Sequence, residues 1–211
     1  MKIRTESELQ DIIDADFAWR LKELSILKSN VLRSDTISTR GAIRVGIVML
    51  YAHWEGLVKK LCESYLIYVS GKRLLYKELN YSFVAIVIRE MFAGLSSSSI
   101  LVNKKMVEFV LKCGDERSLV PYKGIISTQS NLNSNVLEEM LNVVGIDYSQ
   151  YELKANLIDS KLLANRNAIA HGEFVRVDAD DFYFIYDEML AMMRNIKDDI
   201  INSASLKKYR N

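Results

Sequence analysis

Cysteine and histidine are scarce, two of each in 211 residues. Cys62, Cys113, His53 and His171 lie far apart, with no Cys-x-x-Cys pair and no clustered histidines. A metal centre of standard ligand spacing is therefore not expected, no cofactor is implied, and isolated thiols fit a reducing cytoplasm. Long apolar runs are missing as well. Val45 to Ala52 is the strongest one around the second predicted helix, and Arg44 on one side with His53 and Glu55 on the other cuts it well below the ~20 residues of a membrane span. The opening Met1-Lys2-Ile3-Arg4-Thr5-Glu6 has no apolar signal-peptide core, so neither export nor a membrane partner is expected. Nor is there an excess of one charge: 28 Lys and Arg against 27 Asp and Glu leave a formal +1. No global basic field can draw in nucleic acid, and an RNA site would have to be a local patch or a cleft shared between subunits.

What is present is a helical pattern over a chain that is 49% hydrophobic, ample for a core. Thr5-x-x-Glu8 is a capping box, and Leu9, Ile12, Ile13, Phe17, Leu21, Leu24, Leu27 and Val31 follow at helical spacing. After Ser34-Asp35-Thr36 a second, nearly all-round apolar helix is predicted from about Ser38 to Val69, with Gly71 as its stop. Gly41, Gly46 and Gly56 inside it imply close approach by another helix, or a kink. Helices are also predicted over Lys72 to Leu79 and Tyr81 to Ala93, the latter despite β-branched residues between Phe83 and Ile88. Ser96 to Ser99 reads as a loop and Val102 to Cys113 as a helix. Gly114 to Asn133, which contains the single proline Pro121, reads as irregular, and Ser134 as the cap of a helix from Asn135 to Val144. Asp159 is the expected N-cap of the next helix, Asp178 or Asp180 that of a terminal one. Lys207-Lys208-Tyr209-Arg210 reads either as a solvated, frayed end or as a basic contact for phosphates. The expected architecture is all-α, one domain over 1–211, with about 96–148 as an elaboration.

The densest chemistry lies in Asn165-Arg166-Asn167-Ala168-Ile169-Ala170-His171-Gly172. At ~100° per residue Asn167 and His171 share a face, and Arg166 can swing toward the same spot. A planar guanidinium fits phosphate oxygens, Asn167 adds a donor and an acceptor, and His171 brings an imidazole, the side-chain type suited to proton exchange near neutral pH. The set suits phosphodiester chemistry without a metal. The plainer alternative is that Arg and His simply stabilise the negative end of the helix dipole. His53 and Glu55, two residues apart, do not share a helical face, so His53 reads first as a core or supporting histidine. Glu55 with Lys59 reads as an i,i+4 helix pair.

Arg166-Asn167 with His171-Gly172 resembles the Arg-x-x-x-x-His signature of the HEPN superfamily of small all-α proteins. Leu50-Tyr51-Ala52-His53-Trp54-Glu55-Gly56 is similar to the early helix of one prokaryotic HEPN branch. The resemblance implies a helical bundle of long antiparallel helices with short helices added in the middle of the chain. It further implies a metal-independent endoribonuclease of toxin–antitoxin or defence type, in which a ribose 2′-hydroxyl attacks the adjacent phosphate. His171 would act as acid and base, Arg166 would stabilise the phosphorane and Asn167 would orient the phosphate or the imidazole, with His53, Glu55 and Glu173 as possible supports. Homodimerisation, an RNA substrate and an antitoxin partner are implied too. Glu173 stands where some family toxins carry an AMPylated tyrosine, a departure that argues against that mode of control here. The competing readings are a catalytically silent HEPN module that binds RNA, nucleotide or protein, and a helical assembly protein.

Overall fold

In the computed structural model, which describes residues 2–32, 36–95 and 99–211, the chain is all-α. The long helices are α1 (Glu6–Ser29), α2 (Ile37–Lys72) and α7 (Ala179–Ser205). Between α2 and α7 lie α3 (Tyr81–Met91), α4 (Ile100–Lys112), α5 (Ser134–Val143) and α6 (Ala164–Ala170). Ser34, Asp35 and Ser96 to Ser98, read above as turn and loop, lie outside the described residues.

Cross-helix contacts fix the register of the long helices. Glu23 meets His53, Arg20 meets Gly56 and Lys72 bonds to the Arg4 carbonyl, so α1 and α2 are antiparallel. Lys28 pairs with Asp187, Lys197 with Asp14 and Ser205 with Glu6, which makes α1 antiparallel to α7 as well. The parallel neighbours are α2 and α7, with Gly46 against Phe182 at one end. Two of the three α2 glycines are thereby explained. A Cβ on Gly46 would sit 2.6 Å from the Phe182 ring, and one on Gly56 would sit 2.8 Å from the Arg20 guanidinium. Gly41 has nothing within 4 Å, so close approach does not account for it.

Local signals placed several helix ends. The Thr5–Glu8 capping box forms, and Asp178 caps α7 through the Asp181 N–H. Four expectations need correction. Ser134 is the first residue of α5 and not its cap; Asn133 Oδ1 takes the Val136 N–H in that role. Asp159 caps no helix of its own: it lies inside one, and its carboxylate accepts from the backbone and hydroxyl of Ser134 at 2.7 and 2.6 Å. The helix predicted from Lys72 shrinks to a 3₁₀ turn at Tyr76–Glu78, because α2 ends with Arg73 in the left-handed region. The C-terminal segment is docked and not frayed. Tyr209 is buried edge-on against Tyr68, its carbonyl accepts from Asn80, and the Asn211 N–H reaches the Glu78 carbonyl.

No helix among the described residues is long and apolar enough to cross a membrane.

Candidate functional site

The helix that carries the motif is built in two parts. Its first turns, Leu157–Leu163, are π-helical, and they run without a break into α6, since Leu163 and Ala164 both keep right-handed helical backbone angles. Leu157, Ile158, Leu162 and Leu163 are buried and anchor this stretch to the core. π-Turns inside helices often mark functional positions, because they re-aim the residues that follow. Those residues are Arg166 and Asn167.

The helix closes as a Schellman motif. His171 is the C-cap, Gly172 adopts φ +78°, the Gly172 N–H bonds to the Ile169 carbonyl and the Glu173 N–H to the Ala168 carbonyl. Only a residue tolerant of the left-handed region fits after His171. The imidazole is thus held at the last helical position, exposed to solvent, and it makes no hydrogen bond or ion pair among the described residues.

Arg166 is held far more firmly. Its guanidinium carbon sits 4.0 Å from the centre of the Tyr51 ring, a cation–π stack. Nη1 donates to Asn167 Oδ1 at 2.6 Å and to Asn131 Oδ1 at 3.3 Å, while Nη2 lies 4.0 Å from Glu55 Oε2, beyond hydrogen-bond reach. Nε and Nη2 therefore keep their donors. Tyr51 is itself fixed: it is buried, and its hydroxyl accepts the Leu132 N–H at 2.6 Å. Burial holds its phenol above the ordinary tyrosine range, so the ring stays neutral beneath the cation.

Asn167 ties the two ends of the motif together, its side chain to Arg166 and its backbone carbonyl to the His171 N–H at 3.0 Å. Glu55 joins this group, facing Arg166 and not Lys59 as expected. Glu173 is exposed, and its carbonyl accepts from Arg44 Nη1 at 2.8 Å.

His53 does not join it. It stands two residues from both Tyr51 and Glu55, on the opposite side of α2, where it faces α1. The ring is 3% exposed, packs edge-on to Trp19, and has Nε2 2.9 Å from Glu23 Oε2 but out of line for a ring N–H to point at it. Burial pushes its pKa below the ordinary imidazole value, with Glu23 pulling the other way.

Sequence reasoning passed over Asn131 and the role of Tyr51. Tyr51 and Glu55 are i and i+4 on one face of α2, a spacing that could have flagged a shared partner. Asn131 gave no local signal, lying in an irregular segment. Among the described residues, no group of three or more His, Cys, Asp or Glu side chains is placed to hold a metal ion.

No curated protein and no solved structure matches this chain. A family model does, along almost its whole length and through both α2 and the motif helix: residues 15–202 match RiboL-PSP-HEPN. With the match covering nearly all of this all-α bundle, the chain belongs to the RiboL-PSP-HEPN family of the HEPN superfamily.

Proposed function

We propose that the protein is a cytoplasmic, metal-independent endoribonuclease of toxin–antitoxin or defence type. The observation that carries this reading is the Arg166 guanidinium, stacked on Tyr51 and fixed through Nη1 alone, on the same short helix as an exposed histidine. An arginine preorganised with free donors can bind the non-bridging oxygens as charge builds on them, which stabilises the transition state more than the ground state. An exposed imidazole with no partner of its own among the described residues is open to exchange protons with a bound substrate.

In the proposed reaction, the ribose 2′-oxygen bonds to phosphorus as a neutral imidazole takes its proton. The bond from phosphorus to the 5′-oxygen breaks, and an imidazolium protonates that oxygen. The products are a 2′,3′-cyclic phosphate and a 5′-hydroxyl. Two imidazoles do this more readily than one, and each chain supplies a single exposed histidine. A homodimer that brings two motif helices to one cleft would provide the pair and would concentrate the arginine charge that the overall balance hides. Asn167 serves as a positioning residue. Glu55, facing Arg166, tempers its charge until phosphate takes its place, Glu173 stands at the margin of the motif, and an antitoxin that masks the cleft is the natural partner of such an activity.

Purified wild type and His171→Ala, incubated with total RNA in EDTA and followed by end-group analysis, test the proposal. Cyclic-phosphate ends from the wild type only are expected. RNA binding without cleavage would instead favour the silent binding module. Light scattering that showed a monomer across micromolar concentrations would remove the shared cleft.

A further inference from the structure

Beside the motif helix lies a concavity of about 550 Å³, between the N-terminal part of α2 and the segment from Phe174 to Asp180. Its floor is apolar, made by Ile43 and Ile47 of α2 with Ile169 of α6. Phe174 stands at its edge with 81% of its surface exposed. Two arginines flank it. Arg44 spends one donor on the Glu173 carbonyl and pairs with no carboxylate, and exposed Arg176 forms no ion pair among the described residues. The acids on the far wall are engaged already: Asp178 caps α7, and Asp180 has a partner, as does Arg40.

An exposed aromatic face over an apolar floor, flanked by two guanidiniums with donors to spare, matches one repeating chemistry: a planar base joined to a phosphate. The groove and the candidate site are built on the same two helices. Ile169 lies three residues beyond Arg166 on the same helix, and Arg44 lies seven residues before Tyr51 on α2, about 10 Å along its axis. That distance is about three steps of a stacked strand.

We infer that this groove is a nucleotide subsite for single-stranded RNA, in which Phe174 stacks a base a few nucleotides from the scissile phosphate while Arg44 and Arg176 hold the backbone. The inference rests on the ribonuclease reading and adds a substrate class to it. A base can lie flat on Phe174 only if it is free of a duplex, so unpaired segments are selected over paired ones.

The test uses the His171→Ala protein, so that binding is read without cleavage, and fluorescein-labelled RNA at fixed salt: a ten-nucleotide single strand and a duplex of the same sequence. Single strand is expected to bind more tightly than duplex. Phe174→Ala should weaken single-strand binding about tenfold, and Phe174→Tyr should restore it. Arg176→Ala should flatten the dependence of log affinity on log salt by about 0.7. In the otherwise wild-type protein, Phe174→Ala should lower kcat/KM in proportion to the loss of binding. If wild type cleaves RNA but these variants bind and cleave as the parent does, the subsite is overturned and the ribonuclease reading stands. Equal binding of duplex overturns the single-strand assignment. Conversion of a dimer to monomers by Phe174→Ala would make the groove a contact between two copies and likewise overturns it. A wild type that neither binds nor cleaves RNA fails on the ribonuclease reading itself.

Discussion

The two faces of α2 carry the same ingredients to different ends. Toward α1, Arg20 lies beside Trp19, a carboxylate and His53; toward α6, Arg166 lies over Tyr51, near Glu55 and on the same helix as His171. All three Arg20 side-chain nitrogens are committed, Nε and Nη2 to Asp16 and Nη1 to the His53 carbonyl. Arg166 commits one. The histidines differ in the same way, since His53 is sealed into the core while His171 meets solvent. Unspent donors and access to water set the α6 side apart from the α1 side and suit it to the proposed chemistry, whereas residue type does not tell the two sides apart.

If that contrast is right, His171→Ala should cause the largest change, a loss of roughly 10²- to 10⁴-fold in RNA cleavage with the melting temperature unchanged. Calorimetry beside single-turnover rates checks both halves. Retained cleavage would break the comparison from the α6 side. Arg166→Lys should come next. Lysine keeps the charge but loses the planar fork, so RNA should bind with similar strength and cleave about 10²-fold more slowly. Equal rates for arginine and lysine at fixed salt would reduce Arg166 to a nonspecific charge.

On the α1 side the sign reverses. His53→Ala should cost about 2 kcal/mol of stability through the cavity it leaves, with cleavage close to wild type when measured well below the melting temperature. A folded but inactive variant would show that His53 reaches the chemistry. Because its folded pKa is depressed, the unfolded chain binds the extra proton first, so unfolding free energy should fall as pH drops below ~6.5. It should level off once the pH is below the folded pKa, and His53→Ala should remove this slope in urea titrations. The smallest effect belongs to Glu55→Gln. Loss of a partly exposed carboxylate 4.0 Å from Arg166 should leave stability within about 0.5 kcal/mol and raise RNA affinity by less than about tenfold. A drop in affinity would mean that Glu55 orients Arg166 and does not compete with phosphate.

The parts of this arrangement that are local in sequence were legible there. The Thr5–Glu8 box, the Asp178 cap and the His171-Gly172 ending each depend on residues within one turn, where spacing and backbone chemistry decide the outcome. The amphipathic spacing of α1 and the apolarity of α2 likewise fixed their roles in the core. What escaped depends on tertiary placement. The Asp159 carboxylate looked like a cap for its own helix because nothing nearby in sequence shows that Ser134 will be the closer donor. Tyr51 became a platform for Arg166 only when residues 115 positions apart were packed together, and Asn131 reached the guanidinium from a segment with no periodicity to read. The docking of Tyr209 against Tyr68 escaped for the same reason, since a basic tail is indistinguishable from a solvated one until its aromatic residue finds a pocket.

The π-helical turns have a consequence for how this chain can vary in length. Bonding from i to i+5 accommodates one more residue than α-turns would over the same stretch. Loss of one residue within Leu157–Leu163 can therefore be absorbed by rewinding to i to i+4 bonds, which leaves Arg166 in phase with Tyr51. Loss of one residue after that stretch has no such reserve. A deletion at Ala164 or Asn165 would turn everything beyond it by ~100°, carrying the arginine off its ring while the helix itself survived. The motif helix thus has a slack half and a strict half, and tolerance to insertion or deletion should change abruptly at the point where they meet.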